Sequence, residues 1–350
     1  MKTIISLFKL LFFIFILSCK SHDVYLTDAF TDIQNVDLEK LDEYPNDSIG
    51  SPSHILCTKD YIILVEPELE YLLSAYHTKK HTFSRFLNKG RGPDEMMDIQ
   101  QINSCKQSDN DFCVMHTFGN MSFIFSPTDS TYQIVKKISL PENSSTFTFD
   151  NNLIIGVLNK EKKHFYLRTA DSTLVPFGNF PPINNLSPEI ISELTDGYCT
   201  NSSKHKKFIW FSIYGDIFEL YDYHDITNPS LVHQHMAMLP VFSLKKIRGK
   251  DHVAFSQETK IGVVSLTSSD DYIFALYNQN TFKDIAKLKD DIFFSRQILI
   301  YNWDGLPIKI LNLNEKVKAI SFDKTNNCLY GIACDEHGPK ILYKNLTNIL

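Results

Sequence analysis

Six stretches of this 350-residue chain follow one plan, starting at His54, Asn103, Phe147, Tyr198, Gly262 and Ala319. In each, a short apolar segment leads into a turn rich in Asp, Asn, Lys or Ser. A run of apolar and aromatic residues follows, then another polar turn and a third alternating run. The runs have strand length. The turns carry hairpin chemistry, since Asp304-Gly305, Asn151-Asn152 and Asn326-Asn327 all tolerate positive φ. One meander cannot bury its own faces, so the copies must stack. Stacked radially at roughly 40–50 residues per unit, they make a propeller. The reading is all-β: a six-bladed β-propeller of four-stranded antiparallel blades. The sixth copy runs out at Leu350 about one strand short. Spare alternating residues within 24–41, such as VYLTDAFTDI, are expected to supply that strand, close the ring and cover a sheet edge.

Composition agrees. A hydrophobic fraction of 43% suits a cored globular protein, and Phe (26) and Tyr (16) favour strands. The net charge of −6 is spread along the chain without a basic stripe, which argues against nucleic-acid binding.

The first residues read as address rather than fold. After Lys2 a mostly apolar run reaches Leu17, followed by Ser18-Cys19. The run is short and lysine-interrupted for a membrane span and fits a secretory signal. Ile16-Leu17-Ser18-Cys19 resembles a bacterial lipobox, in which the cysteine is lipidated and becomes the new N-terminus. The expected organisation is a signal peptide over 1–18, a lipid-anchored tether over 19–23 and a single propeller domain over 24–350. Lys20 stands where an aspartate would favour inner-membrane retention, which points to the outer membrane. Six further cysteines, Cys57, Cys105, Cys113, Cys199, Cys328 and Cys334, sit mostly in apolar runs without C-x-x-C spacing. Their default state is a buried free thiol.

Two segments depart from the repeat. Residues 186–198 (LSPEIISELTDGY) offer Ser187 as an N-cap and Pro188 at the first helical position, so a short helix is expected. Residues 280–296 form a charged insert, read as a solvent-facing loop or hairpin extension. Loops at one end of a repeat array often make the binding face.

The lipobox, the irregular blades, GRGPDE over 90–95 and the Trp303-Asp304-Gly305 segment together resemble the TolB-like six-bladed propeller lipoproteins of Bacteroidota. The resemblance spans nearly all of the mature chain and implies an exported, lipid-anchored propeller. It implies no activity. That family usually has glycine where this chain has Asp94.

Motifs for chemistry are sparse. The 90–95 loop lacks the third glycine of a dinucleotide fingerprint and any following Gly-Lys-Ser/Thr. It reads as a blade-to-blade connection in which Pro93 sets φ for a short helical turn led by Asp94 and Glu95. The alternative gives Arg91 a carboxylate or sugar hydroxyl to grip. Trp303 has a packing reading and a sugar-stacking one. His233 and His235 share a strand face but lack a third metal ligand nearby in sequence. The acids of YGDIFELYDYHD (214–225) read as strand residues rather than a catalytic pair. No catalytic residue, metal site or cofactor is assigned. The candidate contacts are Arg91, Asp94, Glu95 and Trp303, and Cys19 is the lipidation site. The expected function is an envelope binding module for a glycan, a peptide or an envelope protein. The alternative is a propeller hydrolase or lyase with an axial site, with or without calcium.

Overall fold

The computed structural model describes residues 25–350, apart from 46–47, 106–107, 117–120, 129–130, 143, 159–162, 182, 184–185 and the side chain of Glu189. Cys19, the signal 1–18, the tether 19–23 and Val24 lie outside the described residues.

Six antiparallel sheets stand around one axis. Their innermost strands are His54–Cys57, Ile99–Ser104, Ser144–Asp150, Gly197–Ser202, Val263–Ser268 and Ala319–Asp323. Each begins within a few residues of a sequence repeat. The strands inside each blade are far more buried than the outer ones, and Tyr61–Val65 is buried at every position. That pattern is expected of strands covered on both faces. The outer strands face solvent, and only Leu87 is fully buried in Thr82–Asn88. The hydrophobic core is accordingly six separate clusters, one between each pair of neighbouring blades, including the pair formed by the last and the first. The turns behave as their residues require. Asn151, Asn327 and Gly305 have φ of 54°, 53° and 78°.

The ring closes through the N-terminal segment. Glu39–Lys40 pairs antiparallel with Gly338–Asn345 and completes the four strands of blade six. The same segment does a second thing that the repeat pattern did not foretell. Ile33–Val36 adds in parallel to the outer strand of blade five, Pro307–Val317, giving that blade five strands. Leu26, Phe30, Val36 and Leu38 are all buried along this path.

Antiparallel connectivity sorts the loops onto two faces. One face, the turn face, carries the links between first and second and between third and fourth strands. The other, the connection face, carries the second-to-third links and every blade-to-blade crossing. All of the larger insertions fall on the connection face. The helix Pro188–Leu194 has Ser187 as its N-cap, accepting from the Ile190 amide at 3.4 Å. The 280–296 insert is neither an open loop nor a hairpin extension. It forms short helical turns, Phe282–Asp284, Ile285–Leu288 and Lys289–Phe293, started by the Asp284 carboxylate accepting from the Thr281 amide at 2.9 Å. The third insertion, a two-stranded hairpin of Phe242–Ile247 and Lys250–Phe255, has no counterpart in the repeat reading.

Candidate functional site

The six innermost strands are tied into a ring by side chains. Ser321 of blade six accepts from the Cys57 amide of blade one at 2.8 Å. Ser265 and Thr267 of blade five accept from the Ile320 and Phe322 amides of blade six. Thr200 and Ser268 link blades four and five at 2.8 Å, and Thr148 donates to Asn201 between blades three and four. Gln101 of blade two exchanges two hydrogen bonds with the Phe147 backbone of blade three. Between blades one and two, the Asn110 carbonyl accepts from the Asp60 amide at 2.9 Å. Small polar residues suit this position. An innermost strand has no further strand to pair with, and hydroxyls and amides satisfy the exposed backbone of the neighbouring blade.

Inside that ring lies a cavity of about 500 Å³, opening at the turn face and lined from all six blades. Such a volume is in the range of small-molecule and cofactor sites. Many of its wall hydroxyls are already engaged in the ties above. The charged groups sit at the rim, where Lys59 pairs with Asp109 at 2.9 Å and Lys324 with Asp270 at 3.2 Å. Asp111 accepts from Ser126 at 2.7 Å, and Asp323 accepts from the Thr325 amide at 2.8 Å in its own turn. Acids from several blades therefore do converge at one mouth, but each is engaged by a lysine, a hydroxyl or a turn amide. Among the described residues, no group of three or more His, Cys, Asp or Glu is placed to hold a metal. A shallower groove of about 590 Å³ lies on the outer side of blades one and two beside Asp94, Phe86 and Tyr132. Only the axial cavity draws on every blade.

The sequence profile of the TolB-like 6-blade propeller-like family matches residues 29–325. The chain belongs to that family. Among solved structures, a member of the DUF4221 family from Bacteroides vulgatus is similar, with a TM-score of 0.54 and 11% identity. The match covers 85% of this chain and 93% of that one. The Cps50 (Swd1) β-propeller domain of Myceliophteria thermophila matches at a TM-score of 0.48 and 8% identity, over 87% of this chain and 99% of that one. No curated protein matches the sequence.

In this TolB-like propeller the residues singled out from sequence do not meet at the cavity. Arg91, Asp94 and Glu95 lie on the connection face, between blades one and two. The expected helical turn is a single hydrogen-bonded turn over residues 93–94, in which the Glu95 amide donates to the Gly92 carbonyl at 3.2 Å. The Glu95 carboxylate folds back and accepts from the Gly92 amide at 2.8 Å. A Cβ on Gly90 would meet the Glu95 carboxylate at 2.0 Å, so the glycines make room for the chain's own anion. Asp94 pairs with Lys137 at 3.0 Å. Trp303 is 2% exposed, with its indole N–H donating to the Ser269 carbonyl at 3.2 Å, so no ring face is offered to a ligand. His233 and His235 do share a strand face, and both rings stack on Phe218. None of the six described cysteines is joined in a disulfide. Five are buried, and burial pushes the Cys199 thiol up to about 12.

Sequence reasoning missed the most buried polar cluster. Asp216, which is fully buried, accepts from Lys260 at 2.8 Å and from the Tyr277 hydroxyl at 2.8 Å. The Lys260 ammonium lies 4.7 Å from the Tyr25 ring centroid and 4.6 Å from that of Tyr277. On the same strand Glu219 is buried, and burial holds its carboxyl above the usual range against hydrogen bonds from Gln234 and Tyr221. Neither acid lines the axial cavity, and both are engaged by neighbouring side chains.

A third buried acid, Asp150, predicts a pH dependence of stability. Asp150, at the end of the blade-three inner strand, accepts from Lys206 at 2.7 Å and from Tyr223 at 3.1 Å, both of blade four. Burial opposes its ionisation, but Lys206, Ser203 and Tyr223 outweigh burial and hold the carboxyl below its usual value. A carboxyl depressed on folding contributes stability that is fully present above the unfolded pKa of about 3.9 and is lost as pH falls through the folded value. Melting temperatures measured between about pH 2 and 6 are expected to fall on the acid side, and Asp150→Asn to flatten that limb. An acid limb unchanged in the variant would remove Asp150 from the account.

Proposed function

We propose that this TolB-like propeller is an exported binding module, anchored to the outer membrane by lipid on Cys19, that takes a polar ligand into the axial cavity. The observation that carries the reading is the cavity itself, lined from six blades by hydroxyls and amides among apolar side chains, with two Lys–Asp pairs and two further carboxylates, Asp111 and Asp323, at its mouth. Four acids against two lysines make the mouth acidic, which turns anions away and suits a neutral or cationic ligand, such as an oligosaccharide or a basic peptide segment of an envelope protein. The engagement of each mouth acid supports binding over the hydrolase or lyase alternative, which calls for carboxylates left free to move a proton. The lipobox ending in Cys19 supports the address.

The test uses the chain from Lys20 onward, which holds every described residue, screened against oligosaccharide and peptide libraries. A ligand retained by this chain is expected to lose at least about tenfold in affinity, some 1.4 kcal/mol, in the Asp109→Ala/Asp270→Ala double variant, without a change in melting temperature. A ligand indifferent to that variant would move the site elsewhere. Turnover of the ligand would favour the enzyme. Mass spectrometry of the N-terminal peptide from native membranes tests the anchor separately.

A further inference from the structure

The described chain starts beside the connection face. Tyr25 rests over Lys260, immediately before blade five begins, and the neighbouring Leu26 is buried between blades four and five. Six peptide steps separate Tyr25 from Cys19, a reach of about 20 Å at most. The strands that separate the two faces run to eight residues, as in Ser295–Asn302, or roughly 25 Å at 3.3 Å per residue. A lipid on Cys19 therefore holds the connection face, not the turn face, against the bilayer.

That face carries the hairpin 242–255. Residues 243–251 are all exposed. They include Lys245, Lys246, Arg248 and Lys250 against one acid, Asp251, in a chain whose net charge is −6. Among the described residues, none of the four cations makes an ion pair. Arg248 and Gly249, with φ of 51° and 81°, form the two-residue tip. Leu244 and Ile247, 41% and 54% exposed, stand among the cations. The base of the hairpin is fixed. Phe255 packs on Tyr214 at 4.2 Å and on Phe282 at 5.4 Å, and the Val253 amide donates to Glu193 at 3.3 Å. Nearby on the same face, Ile285 and Phe293 of the helical insert are also exposed.

We propose that the basic, apolar tip of this hairpin is a second membrane contact, seating the propeller on anionic lipid headgroups so that the axial cavity opens away from the bilayer. The inference rests on the lipid-anchor reading. A lipid on Cys19 attaches the chain without orienting it, and a cluster of basic side chains near an anionic surface adds about 1 kcal/mol per cation in one orientation. A bilayer occupies this surface better than an acidic protein does. The short tether places headgroups within reach of the hairpin at all times, and exposed Leu244 and Ile247 can enter the interface as the lysines meet phosphate.

The test measures sedimentation of the chain from Lys20 with vesicles of phosphatidylcholine alone or containing a third phosphatidylglycerol. Weak, salt-sensitive binding is expected to the anionic vesicles only. Each basic side chain near an anionic surface favours binding about fivefold. The variant K245Q/K246Q/R248Q/K250Q is therefore expected to lose at least about tenfold, with its melting temperature unchanged, and Ile247→Ser to lose less. No binding to anionic vesicles, or equal binding by the variant, overturns the proposal. If Cys19 is acylated in native membranes and the unlipidated chain ignores phosphatidylglycerol, the anchor stands and the hairpin contact falls. If Cys19 carries no lipid, the anchor falls and with it the seating, even where the hairpin binds vesicles. A hairpin-dependent crosslink to an acidic protein, without vesicle binding, would make this a protein contact instead.

Discussion

A chain shortened to begin at Asp42 is expected to yield no protease-resistant protein and no cooperative melting transition. The segment removed looks peripheral in sequence, but it holds two sheets and part of two cores. Leu26 and Phe30 fill the interface between blades four and five, and Val36 and Leu38 that between five and six. Burying one such side chain contributes about 1.5–3 kcal/mol, so four contribute about 6–12 kcal/mol. That is comparable to the whole stability of a typical domain, about 5–15 kcal/mol. Polar ties go with them. The Ile310 amide donates to the Asp32 carbonyl at 2.9 Å, the Leu38 amide to Asn314 at 2.9 Å, and Lys344 to Glu39 at 2.8 Å. Removal also bares the outer strands of blades five and six as open edges, which invite aggregation. A shortened chain that melts with the full chain's midpoint would show that the ring closes without this segment.

The fold was legible because each of its steps is local. A strand-length apolar run, an Asn- or Gly-bearing turn and the next run all lie within about a dozen residues, and the copies repeat. The helix at Pro188–Leu194 was legible for the same reason, since Ser187 and Pro188 mark its start next to its apolar positions. The hairpin 242–255 escaped because its middle is exposed and charged, so it lacks the apolar run by which the other strands are found. Its readable signal was Arg248-Gly249 as a two-residue turn between Leu244 and Val253, which the register places opposite each other. The candidate site was illegible for a different reason. Cys57, Asn103, Thr148, Asn201, Ser268 and Asp323 come from six innermost strands about fifty residues apart, and only ring closure brings them together. The GRGPDE loop drew the eye with glycines that serve Glu95 of the same loop.

Lys260→Met is expected to cost about 3–5 kcal/mol, the usual result of removing one partner of a buried ion pair. Among the described residues its ammonium is the only cation paired with Asp216, and the Asp216 side chain is 0% exposed. Without it, a carboxylate shut away from water keeps, among the described residues, only the Tyr277 hydroxyl as a side-chain partner. Replacing both ends, as in Asp216→Asn/Lys260→Met, leaves no uncompensated charge and is expected to recover at least half of the loss. Denaturant midpoints of the two variants check this. A single variant within about 1 kcal/mol of the parent, the range of exposed pairs, would mean that water reaches Asp216. Apolar side chains of similar volume could fill this site at equal or lower cost, so stability alone does not explain the pair. Its position does. Asp216 belongs to blade four, Tyr277 to blade five, Lys260 to the crossing between them and Tyr25 to the incoming chain. A directional charge pair with two hydroxyl and ring contacts holds all four in one register, where an apolar cluster would let them slide. The double variant therefore separates two roles. It is expected to restore the midpoint while leaving Tyr25 without its cation. Faster proteolysis at the start of the chain, in a variant of near-parental stability, is the expected sign that the pair fixes where the tether leaves the propeller.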